Sequence, residues 1–151
     1  MIPEEYQNLF KGEVHAAFPV IGSDQDDYLV RNITQIDEDQ KCMNIAHVMN
    51  PGEQIVFVHR DDESVRSDLS KKLLGLRERV IKDHGDFNPK GALYISCVAR
   101  AFTRFDQDHK GGELALVKEV IGDVPLTGFY ASGEINSGRL YGYTGILILF
   151  L

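Results

Sequence analysis

The chain has 151 residues, 43% of them hydrophobic and 26% charged, which suits one folded domain with a substantial core. Its 16 basic and 23 acidic residues give a formal charge of −7, which excludes a uniform basic footprint for nucleic acid and an attraction to anionic membranes. Two cysteines, Cys42 and Cys97, with no CxxC pair, exclude a disulfide-stapled scaffold and a four-cysteine zinc site.

The N-terminal residues lack the basic and apolar regions of a signal peptide, and the longest apolar run, Ile146 to Leu151, is too short to span a bilayer. The expectation is therefore a cytoplasmic protein with free thiols. On that expectation the Asn32-Ile33-Thr34 sequon carries no glycan.

In chain order, Tyr6, Leu9 and Phe10 give a short helix within Glu4 to Lys11, stopped by Gly12. Glu13 to Ile21 reads as a strand, with Pro19 favouring an edge or irregular position. A polar turn over Gly22 to Asp27 precedes an alternating strand from Tyr28 to Ile36. Asp37 to Lys41 turns the chain into a strand over Cys42 to Val48. Asn50-Pro51-Gly52 then turns it into Glu53 to His59. These short polar joints predict an antiparallel meander.

A long helix begins after Asp61-Asp62, where acidic side chains suit the first free amides and the positive end of the dipole. Val65, Leu69, Leu73, Leu76 and Val80 make one apolar stripe, expected to cover the meander, and His84-Gly85 ends the helix. Asn88 to Gly91 leads into the strand Ala92 to Cys97, and a charged loop occupies Val98 to Gly112. A second helix, Glu113 to Ile121, presents Leu114, Val117 and Ile121 on one side and stops at Gly122. Strands over Val124 to Tyr130 and Leu140 to Phe150 complete the order β-β-β-β-α-β-α-β-β. The fold class is α+β, with a mixed, largely antiparallel sheet and two main helices.

Two strand ends release small or polar residues into loops, where a rigid scaffold can position chemistry. Arg100 follows the strand ending at Cys97, and Glu134 follows the one ending at Tyr130. One reading places both at a shallow pocket, with Arg100 gripping a carboxylate through its planar fork and Glu134 an ammonium group. The other is an Arg–Glu pair that only fixes two loops. Cys97 reads first as a packed thiol and second as an activated nucleophile. The five histidines are scattered without HxH or HExxH spacing. Asp24, Asp26 and Asp27 lack the glycine and closing Glu of a calcium loop. Gly111-Gly112-Glu113 has no P-loop or GxGxxG pattern around it. No metal or cofactor is expected.

Gly91 to Arg100, Glu113 with its helix, and above all Gly128-Phe129-Tyr130-Ala131-Ser132-Gly133-Glu134-Ile135 resemble the C-terminal domain of FIST proteins (F-box and intracellular signal transduction). Tyr28 to Arg31 and Tyr143 to Leu147 fit the same pattern, so the resemblance runs from about Phe18 onward. It implies a noncatalytic sensory module for small ligands such as amino acids, working beside signalling or F-box components. The ligand-binding set it suggests is Arg100, Glu134, Cys97, Ser96, Tyr130 and Ser132. Ala99 departs from the glycine usual there, and the usual N-terminal FIST domain is absent. The expectation is one domain, 1–151, with three alternatives: a fragment of a longer protein, a split subunit or a degenerate homologue. The competing classes are a protein-interaction module that docks a partner without a small ligand, and a thiol enzyme acting through Cys97.

Overall fold

The computed structural model describes residues 14–22, 27–100 and 112–151. The helix expected within Glu4 to Lys11 and most of the charged loop before Gly112 lie outside them. The chain divides into two compact units, Met1–Asp61 and Asp62–Leu151.

The first unit is a four-stranded antiparallel sheet in the order β3-β2-β1-β4. Its strands are β1 (Val14–Pro19), β2 (Tyr28–Asp37), β3 (Cys42–Ile45) and β4 (Val56–His59). β1 lies between β2 and β4, with Ala16 opposite both Arg31 and Phe57, and its central residues His15 to Phe18 are buried. β1 is an interior strand, but Pro19 ends it with a partner on β2 alone, which agrees with the edge or irregular position expected of it. Pairing with β4 stops at Ala17, so the missing proline N–H removes no hydrogen bond from that ladder.

β4 begins three residues later than its sequence suggests because Glu53 belongs to the turn before it. The Glu53 amide donates to the Asn50 carbonyl at 3.1 Å, and its carboxylate accepts from the Asn50 amide at 3.0 Å. β3 ends early at Ile45. His47, just beyond it, packs against Phe18 with tilted rings, centroids 4.2 Å apart, and hydrogen-bonds the Glu53 carboxylate at 3.1 Å.

The second unit opens with α1 (Asp62–His84). Asp62 and Glu63 occupy its first turn and Lys82 and His84 its last, the distribution that complements a helix dipole. The amide of Gly85, in the left-handed region at φ 91°, donates to the Ile81 carbonyl at 2.8 Å and closes the helix. The apolar stripe covers a different partner from the one expected. Leu73 is buried in a core with Ala92, Tyr94, Leu116, Val117 and Ile121, and Val65 and Leu69 pack against it.

That core lies on one face of a three-stranded sheet ordered β6-β5-β9. β5 (Gly91–Cys97) is central, parallel to β6 (Leu126–Ala131) and antiparallel to β9 (Gly145–Phe150). Parallel neighbours require a crossover, and α2 (Glu113–Ile121) lies in the connection from β5 to β6. Alternation along β5 sends Ala92, Tyr94 and Ser96 to the helical side, where each is at most 5% exposed.

α2 is rotated from its expected setting. Leu116, Val117 and Ile121 are buried, as is Glu113, whereas Leu114 is 50% exposed. The inward residues Glu113, Leu116, Val117 and Ile121 fall at i, i+3, i+4 and i+8, which is one helical face.

The single last strand expected from Leu140 is divided. β7 (Glu134–Asn136) and β8 (Arg139–Tyr141) form a hairpin joined by Ser137 and Gly138, both with positive φ. Two such residues match the twist of a tight hairpin. Tyr143, at φ 62°, then turns the chain into β9. Among the described residues the fold is α+β, with mixed and largely antiparallel sheets and two main helices, and β7 and β8 extend the expected order.

Candidate functional site

Glu113 is the first residue of α2 and only 2% exposed, so its charge demands compensation. β5 supplies part of it: the Tyr94 hydroxyl donates to Oε2 at 3.0 Å and the Ser96 hydroxyl to the same oxygen at 2.9 Å. Arg100, at the end of the 3-10 turn Val98–Arg100, brings Nε and Nη2 to Oε1. A carboxylate offers about four lone-pair sites, and these four donors occupy them.

Arg100 also donates from Nη1 to the Tyr143 carbonyl at 2.9 Å. The next residue, Thr144, donates its hydroxyl to Oε2 of Glu134, which is 5% exposed. Oε1 of Glu134 is buried without a hydrogen-bond partner among the described residues. Arg100 and Glu134 therefore engage consecutive residues of one turn, while the ion pair of Arg100 is with Glu113. Burial, followed by the negative charge of Glu113, holds the Tyr94 phenol above its ordinary pKa, so it remains a donor.

A cavity of about 250 Å³ opens between the sheet and α2, walled by Tyr94, Ser96, Glu113, Leu114, Lys118 and residues 126–130. Gly128 lies on its wall. A Cβ there would stand 1.8 Å from the Tyr94 carbonyl oxygen, so the approach of β6 to β5 admits no side chain. Of the residues singled out in the sequence, Ser96 and Tyr130 line the cavity and Arg100 stands behind it through Glu113. Glu134, Cys97 and the exposed Ser132 are not among the wall residues. Cys97 is buried, and its amide donates to the Thr144 carbonyl at 2.9 Å. Ala99 has no left-handed backbone, so its side chain in place of glycine introduces no strain there.

Glu113 and Lys118 escaped the sequence-based choice of site residues. The available signal was a carboxylate at the i−3 and i−4 positions of the apolar pair Leu116 and Val117, on a face that otherwise enters the core. Among the described residues, no three His, Cys, Asp or Glu side chains gather as metal ligands, and no helix is long and apolar enough to cross a membrane.

The model of the FIST C domain matches residues 2–137, and this chain belongs to that family, which is associated with the sensory domains of signal transduction. It is 27% identical over 163 residues to the uncharacterized protein Rv0628c of Mycobacterium tuberculosis, an alignment covering 100% of this chain and 39% of that protein. It is 30% identical over 132 residues to the uncharacterized protein Mb0898c of Mycobacterium bovis, covering 84% of this chain and 32% of the relative. The chain thus spans well under half the length of these relatives. No solved structure matches it.

Proposed function

We propose that this domain is a noncatalytic cytoplasmic sensor that binds a small ligand in the cavity between β5, β6 and α2. The carrying observation is that cavity: the apolar side chains of Leu114 and Leu126 border a floor of buried polar groups, Tyr94, Ser96 and Glu113. A mostly apolar wall with a few fixed polar groups is the usual makeup of a ligand site, and about 250 Å³ suits a metabolite far smaller than a dinucleotide. Arg100 supports the floor from behind, and the carboxylate of Glu134 holds the neighbouring turn. In a longer protein the bound state would be read by a FIST N-terminal domain or a signalling partner.

A thermal-shift screen with amino acids, small carboxylates, amines and amides tests this reading, because a ligand that binds only the folded state raises its melting temperature. Leu114→Trp fills the cavity from the exposed first turn of α2 and is expected to abolish the shift. A shift that survives this variant places binding elsewhere. A screen without any shift, repeated on a protein carrying the N-terminal FIST domain, defeats the reading.

A second reading, a docking module, has its own support. The sheet face opposite the core carries Leu93, Ile95, Ile146, Ile148, Phe129 and Phe150, with Phe129 60% and Phe150 56% exposed. Exposed apolar patches of this kind mark interaction surfaces. Ile148→Ser with Phe150→Ser removes a partner held there and leaves ligand binding in the cavity intact.

A further inference from the structure

Charge balance inside the cavity distinguishes one class of ligand from the others. The Glu113 carboxylate at its floor is saturated: Arg100 occupies one oxygen with two nitrogens, and Tyr94 and Ser96 occupy the other. An incoming ammonium group therefore finds no free lone pair on the acid, and displacing a donor leaves that donor buried and unpaired. The Arg100 charge is spent on the same pair. Lys118 differs. It lies on the wall four residues beyond Leu114, one turn along the same side of α2, and no carboxylate of the described residues lies within ion-pair distance of its ammonium. Its long stem can lie along the apolar wall while the charge remains at the wetter mouth. The uncompensated charge of the cavity is thus one positive group at the rim of an apolar space.

Resting on the cavity reading above, we propose that the ligand is a small apolar monoanion, a carboxylate on a short hydrocarbon body, with Lys118 as its charge anchor. The hydrocarbon fits among Leu114, Leu126 and the β6 backbone at Gly128. The anion meets Lys118 at the rim. A zwitterionic amino acid satisfies Lys118 but brings an ammonium that the saturated Glu113 cannot receive, so it binds more weakly than its deaminated counterpart.

The test compares 4-methylpentanoate, 4-methylpentanamide, isopentylamine and leucine, followed by backbone amide shifts of residues 126–130 in nitrogen-15-labelled protein. The carboxylate is expected to bind most tightly and to weaken as salt is raised. Lys118→Gln is expected to lower its affinity about fivefold, the size of a partly exposed ion pair, and to leave the amide unchanged. Equal binding of carboxylate and amide, tightest binding by leucine or the amine, or no loss in Lys118→Gln overturns the monoanion assignment while the cavity remains a binding site. Absence of shifts at residues 126–130 with all four probes overturns this assignment; the broad screen and Leu114→Trp separately decide the cavity reading.

Discussion

Arg100 and Glu113, thirteen positions apart, form an ion pair at the end of β5 in which the acid is 3% and the base 14% exposed at the side chain. The pair ties the 3-10 turn after β5 to the first residue of α2. Because the acid is buried, the two members are unequal under mutation. Arg100→Ala leaves an uncompensated buried charge and is expected to cost about 3–5 kcal/mol. Arg100→Met with Glu113→Gln removes both charges and leaves the amide oxygen to accept from Tyr94 and Ser96, so it is expected to be the more stable variant. Urea denaturation of both proteins checks the order, and a less stable double variant refutes it.

A methyl group at position 128 has nowhere to go. Gly128→Ala drives a Cβ to 1.8 Å from the Tyr94 carbonyl oxygen, so β5 and β6 must separate locally, at a cost of about 1–3 kcal/mol or more. Gly142→Ala is the control: nothing lies within 4 Å of its Cβ position, and its effect is expected to stay within about 0.5 kcal/mol. Paired thermal melts, with amide shifts across Tyr94 and Gly128, report both the cost and its location.

The turn before β4 carries a pH dependence of definite sign. The Asn50 backbone amide, and after it the His47 ring, hold the Glu53 carboxyl below its ordinary value of 4.5. A depressed carboxyl stabilises the folded turn above its unfolded pKa, and this contribution fades as pH falls through the lower folded value. The Asn50 amide resonance is therefore expected to titrate below pH 4.5 and to lose that response in Glu53→Gln. A midpoint above 4.5 refutes the assignment.

Periodicity made α1 legible because Leu69, Leu73, Leu76 and Val80 repeat at helical intervals, and turn chemistry at Asn50-Pro51-Gly52 located the entry to β4. The partner of α1 was less legible, since a stripe records that a face is buried without recording what covers it. Hydrophobic spacing in the short α2 favoured Leu114, but the face containing Glu113 won because buried donors from β5 and Arg100 offset the desolvation of the acid. The same limit governs the site. Arg100 and Glu134 stood out as charges at strand ends, whereas Lys118 looked like an ordinary helix surface residue until the fold brought the cavity to it. The break between β8 and β9 was hidden in an otherwise apolar run, because Tyr143 and Thr144 acquire their roles only through Arg100 and Glu134.

The placement of β5 between β6 and β9 has a consequence for how the second unit assembles. Ser96 is registered against Tyr130 on one side and Gly145 on the other, so neither neighbour is a local hairpin partner. Both closures pay loop entropy before any ladder bond rewards them, which slows folding relative to a hairpin-built sheet. During synthesis the central strand emerges well before either flank, and its second edge is covered only when the β9 strand is made. A ribosome-stalled chain ending before Gly145 is accordingly expected to remain protease-sensitive along Gly91–Cys97, with protection appearing once β9 has cleared the exit tunnel.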